Sequence, residues 1–307
     1  MVAALLADLF ESHRAHLLSV AYRLTGSVTD AEDAVQESWL RLATARQYEI
    51  EDLRAWLTTV VSRICLDRMR SAASRREHYV GQWLPEPVVT APTPSSTPDP
   101  LETVVRKQEF RLAALIVLDT LTPPQRVSFV LHDGFGVPFD EIADILDVST
   151  DAARQLATRA RKAVAHTPEP VADTTHVAAV QRLLTALASG DIAAVVAALH
   201  PDAEFVADAG GTTRTALKAV VGAEKFARLA LSLLTRFDLD LSERNSVEFE
   251  FVNVNGQLGL LLAERAPRGD VPGSPTRVIG FTVRDGRVGG AYDLSNPTKL
   301  AGVRVGR

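Results

Sequence analysis

Residues 79–100, YVGQWLPEPVVTAPTPSSTPDP, hold six of the chain's 16 prolines and no Lys or Arg. Proline fixes φ and has no N–H to donate, so this stretch is excluded from a helix interior and from a central strand. It reads as a semi-extended linker. A second break falls near 167–173, TPEPVAD. The linker and this break leave segments 1–78, 101–166 and 174–307 of a 307-residue chain. That length suits about two domains of roughly 150 residues, or three small ones.

Apolar residues at 46 % and charged residues at 23 % describe ordinary globular material. The net charge of −5 excludes a wholly basic nucleic-acid coat but leaves room for a local basic patch. Cys65 is the single cysteine, which excludes a disulfide framework and a Cys-based zinc site. The opening MVAALLADLF has no basic start, and no apolar run approaches the length of a membrane span. The expectation is a soluble, cytoplasmic chain without membrane contact.

Charge is sorted within the first segment. Residues 8–52 have four Arg against nine acids, and 53–78 have six Arg against two acids. One half suits a basic partner and the other an anionic one. Leu17, Val20, Ala21 and Leu24 have helical spacing, and Thr25-Gly26 closes that helix. Thr29 or Asp30 is placed to cap the next, DAEDAVQESWLRL. Leu53, Trp56, Leu57, Val60, Val61 and Ile64 predict a long amphipathic helix. Trp56 in that stripe reads as core packing before base stacking, and Asp67 near it reads as an Arg-paired carboxylate.

The middle segment is also helical, with helices expected around 101–120 and 123–132. Beyond them, Phe139, Ile142, Ala143 and Leu146 form one apolar stripe, and Ala153, Leu156, Ala157, Ala160 and Val164 form a second. The break at Asp147-Val148-Ser149 makes the pair a helix-turn-helix. With its stripe buried, the second helix turns Asp151, Gln155, Thr158 and Lys162 outward, with Arg154 and Arg161 flanking them and Arg159 at the margin. Arg and Lys neutralise phosphates, and Gln reads adenine with two hydrogen bonds. A solvated face is the alternative; the acidic helix before it and the short turn favour DNA.

The last segment changes character. Helices are expected at 175–188, 191–199 and 222–236. SVEFEFVNV and QLGLLLAER then flank Asn255-Gly256, and TRVIGFTVR and RVGGAYDLS flank Asp285-Gly286. These are two hairpins, so the segment reads as α+β with an antiparallel sheet. His200, Asp208 and Asp293 are its candidate pocket groups. Asp293, on a strand of alternating pattern, is the best of the three, and Asp208 before Gly-Gly reads as a turn former.

The acidic helix does not match an oxygen-ligand loop, since Asp30, Glu32, Asp33 and Glu37 have no Gly turn among them. A basic protein partner and a solvated surface both remain open for it. No HExxH, GxSxG or Walker-type loop occurs, so no catalytic residue, metal or cofactor is expected.

Taken together, TDAEDAVQESWLRL, LRAWLTTVVSRICLDRMRS and LTPPQRVSFVLHDGFGVPFDEIADILDVSTDAARQLATRARKAV resemble regions 2 and 4 of an extracytoplasmic-function sigma factor. The resemblance spans about residues 5–166 in order and spacing. WLPEP at 83–87 and NPTKL at 296–300 resemble the subgroup with a fused C-terminal SnoaL-like domain. The fold implied is two all-α sigma domains plus an α+β cone.

The resemblance implies roles position by position. Asp33, Gln36 and Glu37 fall on the element that contacts the β′ clamp helices of core RNA polymerase. The loop near 44–52 falls where a flipped −10 base is captured. Arg54, Arg63, Arg70, Arg75 and Arg76 lie along the −10 reading helix. Arg154, Gln155, Thr158, Arg159 and Lys162 lie on the −35 recognition helix. The linker is expected to thread toward the RNA exit path. Trp83, Asn296 and Lys299 are expected to join linker and tail in a regulatory contact between the C-terminal domain and the sigma part. The subgroup's DGGGK-type element reads ADAGGTTR here, without its lysine, and Thr298 stands where an acid is common.

Two other readings compete. A helix-turn-helix regulator without polymerase would have no use for the first segment. A SnoaL-like enzyme or sensor of an unknown small ligand, fused to a DNA-binding part, would reveal itself by turnover or bound substrate.

Overall fold

The computed structural model describes residues 2–76, 79–92, 111–165, 171–213, 215–241 and 249–303, with side chains in the first stretch from 6 to 72. The chain divides into two compact units. Residues 2–76 and 111–165 belong to the first, and 79–92 and 171–303 to the second.

The first unit begins with α1 (Val2–Thr25), α2 (Val28–Thr44) and α3 (Leu53–Arg76). Leu17, Val20, Ala21 and Leu24 are fully buried, as their spacing requires. Gly26 takes φ 67° and returns its N–H to the Tyr22 carbonyl at 2.9 Å, which ends α1. Ser27, rather than Thr29 or Asp30, caps α2. Its extended backbone lets Oγ accept from the Asp30 N–H at 3.1 Å, while Thr29 and Asp30 already lie inside the helix.

The helix-turn-helix follows α4 (Leu112–Asp119) and α5 (Pro123–Phe129); residues 101–110, also expected to be helical, lie outside the described residues. Thr122 and Gln125 form a capping box on α5, whose first position is proline. A single π turn, Val130–Gly134, continues α5. Then come α6 (Phe139–Leu146) and α7 (Thr150–Val164). Asp147 turns left-handed at φ 57°, and Ser149 Oγ accepts from the Ala152 N–H at 3.2 Å to start α7. Ala153, Ala157 and Ala160 are fully buried, so α7 packs closely through small residues.

These two helical groups, separate in sequence, share buried contacts. Arg126 on α5 is 4 % exposed. It donates to the Leu24 carbonyl at 3.0 Å and to Asp119 at 2.7 Å, joining α5 to both α1 and α4. The Arg23 guanidinium lies 5.4 Å from the Phe135 ring centre, over Gly134, where a Cβ would collide with it.

The second unit holds α8 (Asp173–Ser189), α9 (Ile192–Ala198) and α10 (Ala223–Phe237), with one mixed sheet ordered β1-β4-β5-β6-β7-β2-β3. The strands are β1 (Val89–Thr90), β2 (Leu199–Asp208), β3 (Val220–Val221), β4 (Phe249–Val254), β5 (Gln257–Leu262), β6 (Arg277–Arg284) and β7 (Arg287–Leu294). Both hairpins form as expected, with Asn255-Gly256 and Asp285-Gly286 at positive φ. The sheet is not wholly antiparallel, because β2 and β7 run parallel. The chain leaves β2 through β3 and the α10 crossover instead of a hairpin, which frees β7 to return in the same direction. The apolar face of the sheet packs on the helices through Val180, Leu183, Val195, Phe205, Phe226 and Phe281.

Part of the linker is built into this unit. Val89 and Thr90 pair with Val254 and Asn253 at the sheet edge. Leu84 and Val88 are buried at 2 % and 7 % exposure. Residues 79–92 are therefore a strap on the C-terminal unit. Pro85 and Pro87 limit it to a two-residue edge strand, in keeping with their missing donors.

Replacing Arg126 by Ala removes one partner of a buried pair, a change that costs about 3–5 kcal/mol. The urea midpoint followed by circular dichroism should fall clearly, while Arg14→Ala, at an exposed pair, should leave it almost unchanged.

Candidate functional site

On α2, Asp33, Gln36, Glu37 and Leu40 stand at i, i+3, i+4 and i+7 and share one outward stripe. Leu40 is 59 % exposed at the end of it. Phe10 and Trp39 pack at 5.1 Å between ring centres and hold α2 against α1. The acids of this stripe are met from α3 by Arg68, whose Nη1 lies 3.1 Å from Asp30 and 3.2 Å from Asp33, with Nη2 3.9 Å from Glu37. Partial burial works against the Arg68 charge, but the bonds from Asp30 and Asp33 outweigh it and hold the guanidinium above its ordinary pKa. Arg41 adds a 2.5 Å contact to Glu37. Cys65 beneath them is fully buried, and desolvation pushes its thiol far up.

The basic residues of α3 are not equivalent. Arg54 is exposed and lies 3.2 Å from His16 Nδ1. Arg63 is exposed too, but donates to the Asp144 carbonyl of α6 at 3.0 Å. Arg70 points to solvent 3.8 Å from Asp67. Asp67 is itself exposed, away from the apolar stripe near which its spacing suggested it. The side chains of Arg75 and Arg76 lie outside the described residues. Between α2 and α3 a short 3-10 turn, Gln47–Glu49, presents Tyr48 at 83 % exposure.

The outward face of α7 gathers Arg154, Gln155, Thr158, Arg159 and Lys162, all exposed. Arg154 is 3.0 Å from Asp151 and stacks near Phe139 at 5.9 Å. Arg161 is drawn off the face by two bonds to Asp133 at 2.8 and 3.0 Å.

In the second unit Asp208 is wholly buried, and its side chain gathers the strap, the tail and its own loop. Oδ2 accepts from the Leu84 N–H at 2.8 Å and from Lys299 Nζ at 2.6 Å. Oδ1 accepts from the Tyr79 hydroxyl and from the Gly210 N–H at 3.2 Å. Lys299 also donates to the Leu84 carbonyl and sits 3.9 Å from the centre of the Trp83 ring. Asn296 Nδ2 donates to the Tyr79 oxygen at 2.8 Å. The loop of Gly210 and Gly211 has positive φ at both, and a Cβ on Gly210 would stand 2.6 Å from Asn296 Nδ2. Trp83, Asn296 and Lys299 are thus brought together, and Asp208, read from sequence as a turn former, is their common anchor.

The other pocket candidates separate. His200 lies buried in β2 and not in a surface turn: it accepts from the Asp202 N–H at 3.1 Å, and its Nε2 is 3.5 Å from Asp285 Oδ2. Asp293 is buried on β7 with Arg277 Nη1 at 2.5 Å from Oδ2. Burial pushes its carboxyl up, Arg277 opposes this, and Asp208 adds to the rise. Among the described residues no cluster of three or more His, Cys, Asp or Glu is set to hold a metal, and no helix is long and apolar enough to cross a membrane.

Residues 9–75 match the family described as Sigma-70 region 2, and residues 112–164 match Sigma-70, region 4. The ECF RNA polymerase sigma factor SigJ of Mycobacterium tuberculosis is 49 % identical over 296 residues, covering 95 % of this chain and 92 % of that one. The chain belongs to the ECF sigma factor family. Its fold superposes on the crystal structure of M. tuberculosis SigJ with a TM-score of 0.81 at 46 % identity, over 96 % of this chain and 98 % of that one. The probable ECF sigma factor SigI of the same organism is 36 % identical over 62 % of this chain.

The sigma factor is an alternative transcription initiation factor whose partners are core RNA polymerase and promoter DNA. Region 2 corresponds to α1–α3, and region 4 to α4–α7. The C-terminal unit lies outside both matched regions but within the similarity to SigJ.

Proposed function

We propose that the C-terminal unit of this sigma factor regulates the sigma part by holding the strap, and that polymerase and promoter are engaged through the α2, α3 and α7 faces. The observation that supports this most strongly is the buried Asp208. It binds groups from residues 79–84 and from the tail, and only two residues, Glu77 and His78, separate the end of α3 from Tyr79. Seating or releasing the strap alters how freely region 2 can move.

The stripe Asp33, Gln36, Glu37 and Leu40 faces the β′ clamp helices of core polymerase in this reading. The Arg68 pairs orient its acids without hiding them, since Asp33 remains 55 % exposed. Arg54, Arg63 and Arg70 face −10 DNA. Use of Arg63 there requires its bond to the Asp144 carbonyl to be given up. Tyr48 supplies an aromatic face in the loop where an unpaired base is held. Arg154, Gln155, Thr158, Arg159 and Lys162 face the −35 element, Gln155 as base reader and the cations as phosphate contacts.

In holoenzyme binding to a promoter duplex, Arg159→Ala and Lys162→Ala should each flatten the log K against log salt slope by about 0.9, the loss of one phosphate contact. Arg161→Ala, whose side chain is bound to Asp133, should leave that slope unchanged. Wild-type slopes for both of the first two variants would remove α7 as the DNA-facing helix.

Lys299→Met removes the cation that holds Asp208 and Leu84. It should speed proteolytic cleavage within 79–92. At limiting core polymerase it should raise run-off transcription by about fivefold or more, the lower range of typical coupling between sites. A chain ending near residue 170 should instead lose activity, because Leu84 and Val88 are left without the surface that buries them. Faster strap cleavage with unchanged transcription would contradict the regulatory reading.

A further inference from the structure

In the helix-turn-helix a single aromatic ring ties the outward-facing helix to the turn ahead of the motif. Phe139 opens α6 and is half-buried, and His132 lies on the π turn before it. Their rings stack at 3.8 Å between centres, with planes 25° apart. His132 is itself fixed. Its Nδ1 is 3.0 Å from the Val137 carbonyl, which only accepts, so Nδ1 carries the proton. Its own carbonyl takes the Gly136 N–H at 3.0 Å. On α7 the Arg154 guanidinium lies over the same Phe139 ring, 5.9 Å from its centre, and Nη1 is 3.0 Å from Asp151 Oδ1. Further along α7, Arg161 is bound by both oxygens of Asp133, the residue after His132. The π turn thus holds α7 at two points.

Arg154 is the exception among the cations of this face. Arg159 and Lys162 are exposed, and no ion pair or ring contact holds them among the described residues. A loose cation suits a phosphate, which a point charge neutralises from many directions. A planar fork held in place suits a base edge, where two parallel N–H groups must meet two acceptors. Arg154 stands in the first turns of α7, and the N-terminal residues of a recognition helix are those that reach base edges. Asp151 occupies Nη1, which leaves the edge formed by Nε and Nη2. The same carboxylate repels phosphate and so disfavours the alternative contact.

We propose that His132 and Phe139 are positioning residues for −35 recognition, presetting the Arg154 fork against the O6 and N7 acceptors of a guanine. This rests on α7 being the DNA-facing helix, and it names the side chains that set one base pair of the sequence read there. Released from the ring, Arg154 swings to a phosphate and gains the same contact on every sequence. Loss of the stack therefore lowers discrimination without lowering overall affinity.

The test is recovery of duplexes by holoenzyme, formed with the full-length chain, from a promoter pool randomised across the −35 element, with sequencing of the bound fraction. The wild-type chain should prefer guanine at one position by at least about fivefold, the lower worth of a two-bond base contact. Arg154→Ala should erase that preference and leave the other positions unchanged. Phe139→Leu should cut it by about threefold, the scale of one immobilised side chain, while affinity for duplexes without the guanine holds or rises. Phe139→Tyr keeps the ring and should retain the wild-type preference. His132→Asn keeps a donor for the Val137 carbonyl but no ring, and should lower the same preference; it decides the matter should Phe139→Leu fail to fold. A merely structural role would weaken all positions alike. The proposal is overturned by such an even loss, by a wild-type profile for the Phe139→Leu and His132→Asn variants, or by the lack of any guanine preference that depends on Arg154. If Arg159→Ala and Lys162→Ala still flatten the salt slope in that case, α7 remains the DNA-facing helix and only the positioning claim falls. Wild-type slopes for both would end both readings.

Discussion

The carboxylate of Asp208 has no access to solvent, and its counter-charge comes from Lys299, 91 residues away in sequence. A buried carboxylate without a cation and without donors would be strongly unfavourable. Here the cation, two backbone N–H groups and a tyrosine hydroxyl meet on it, and three of these come from outside its own loop. The strap therefore belongs to the C-terminal fold as much as β7 does. Take away Lys299 or Leu84, and the remaining groups lose their reason to be buried.

The neighbouring carboxylate Asp293 shows the opposite condition on the next strand. Ala207 and Asp293 are register partners, as are Asp208 and Leu294. Because side chains alternate along a strand, Asp293 faces the helix-covered core and Asp208 the other side. One is saturated with donors and clamps the strap. The other keeps one oxygen buried without a hydrogen-bond partner among the described residues. The two faces of one pair of neighbouring strands thus carry a saturated carboxylate and an unsatisfied one.

What could be read from the sequence was what is local. The helix-turn-helix was legible because Ala153, Ala157 and Ala160 repeat at helical spacing and Ser149 marks the start. The hairpins were legible because Asn-Gly and Asp-Gly favour the backbone that such turns need. The strap was half legible. Proline content excluded a helix interior and a central strand, and WLPEP and NPTKL pointed to each other by resemblance, but neither reveals that Asp208 is the group they share. The parallel pairing of β2 and β7 is a long-range outcome that no period records. The contact of Arg63 with Asp144 joins residues 81 apart. Leu40 and Tyr48 did leave signals, an apolar residue continuing an acidic stripe and an aromatic in a short polar loop.

Hydrogen exchange at the Leu84 and Val88 amides tests the clamp most directly. Both N–H groups are buried and bonded, to Asp208 at 2.8 Å and to Asn255 at 3.2 Å. In the free full-length chain they should exchange as slowly as amides of β6 and β7, opening only with the sheet itself. Exchange at the rate of an unstructured peptide would show that the strap is a free linker, and the account of Asp208 would be wrong.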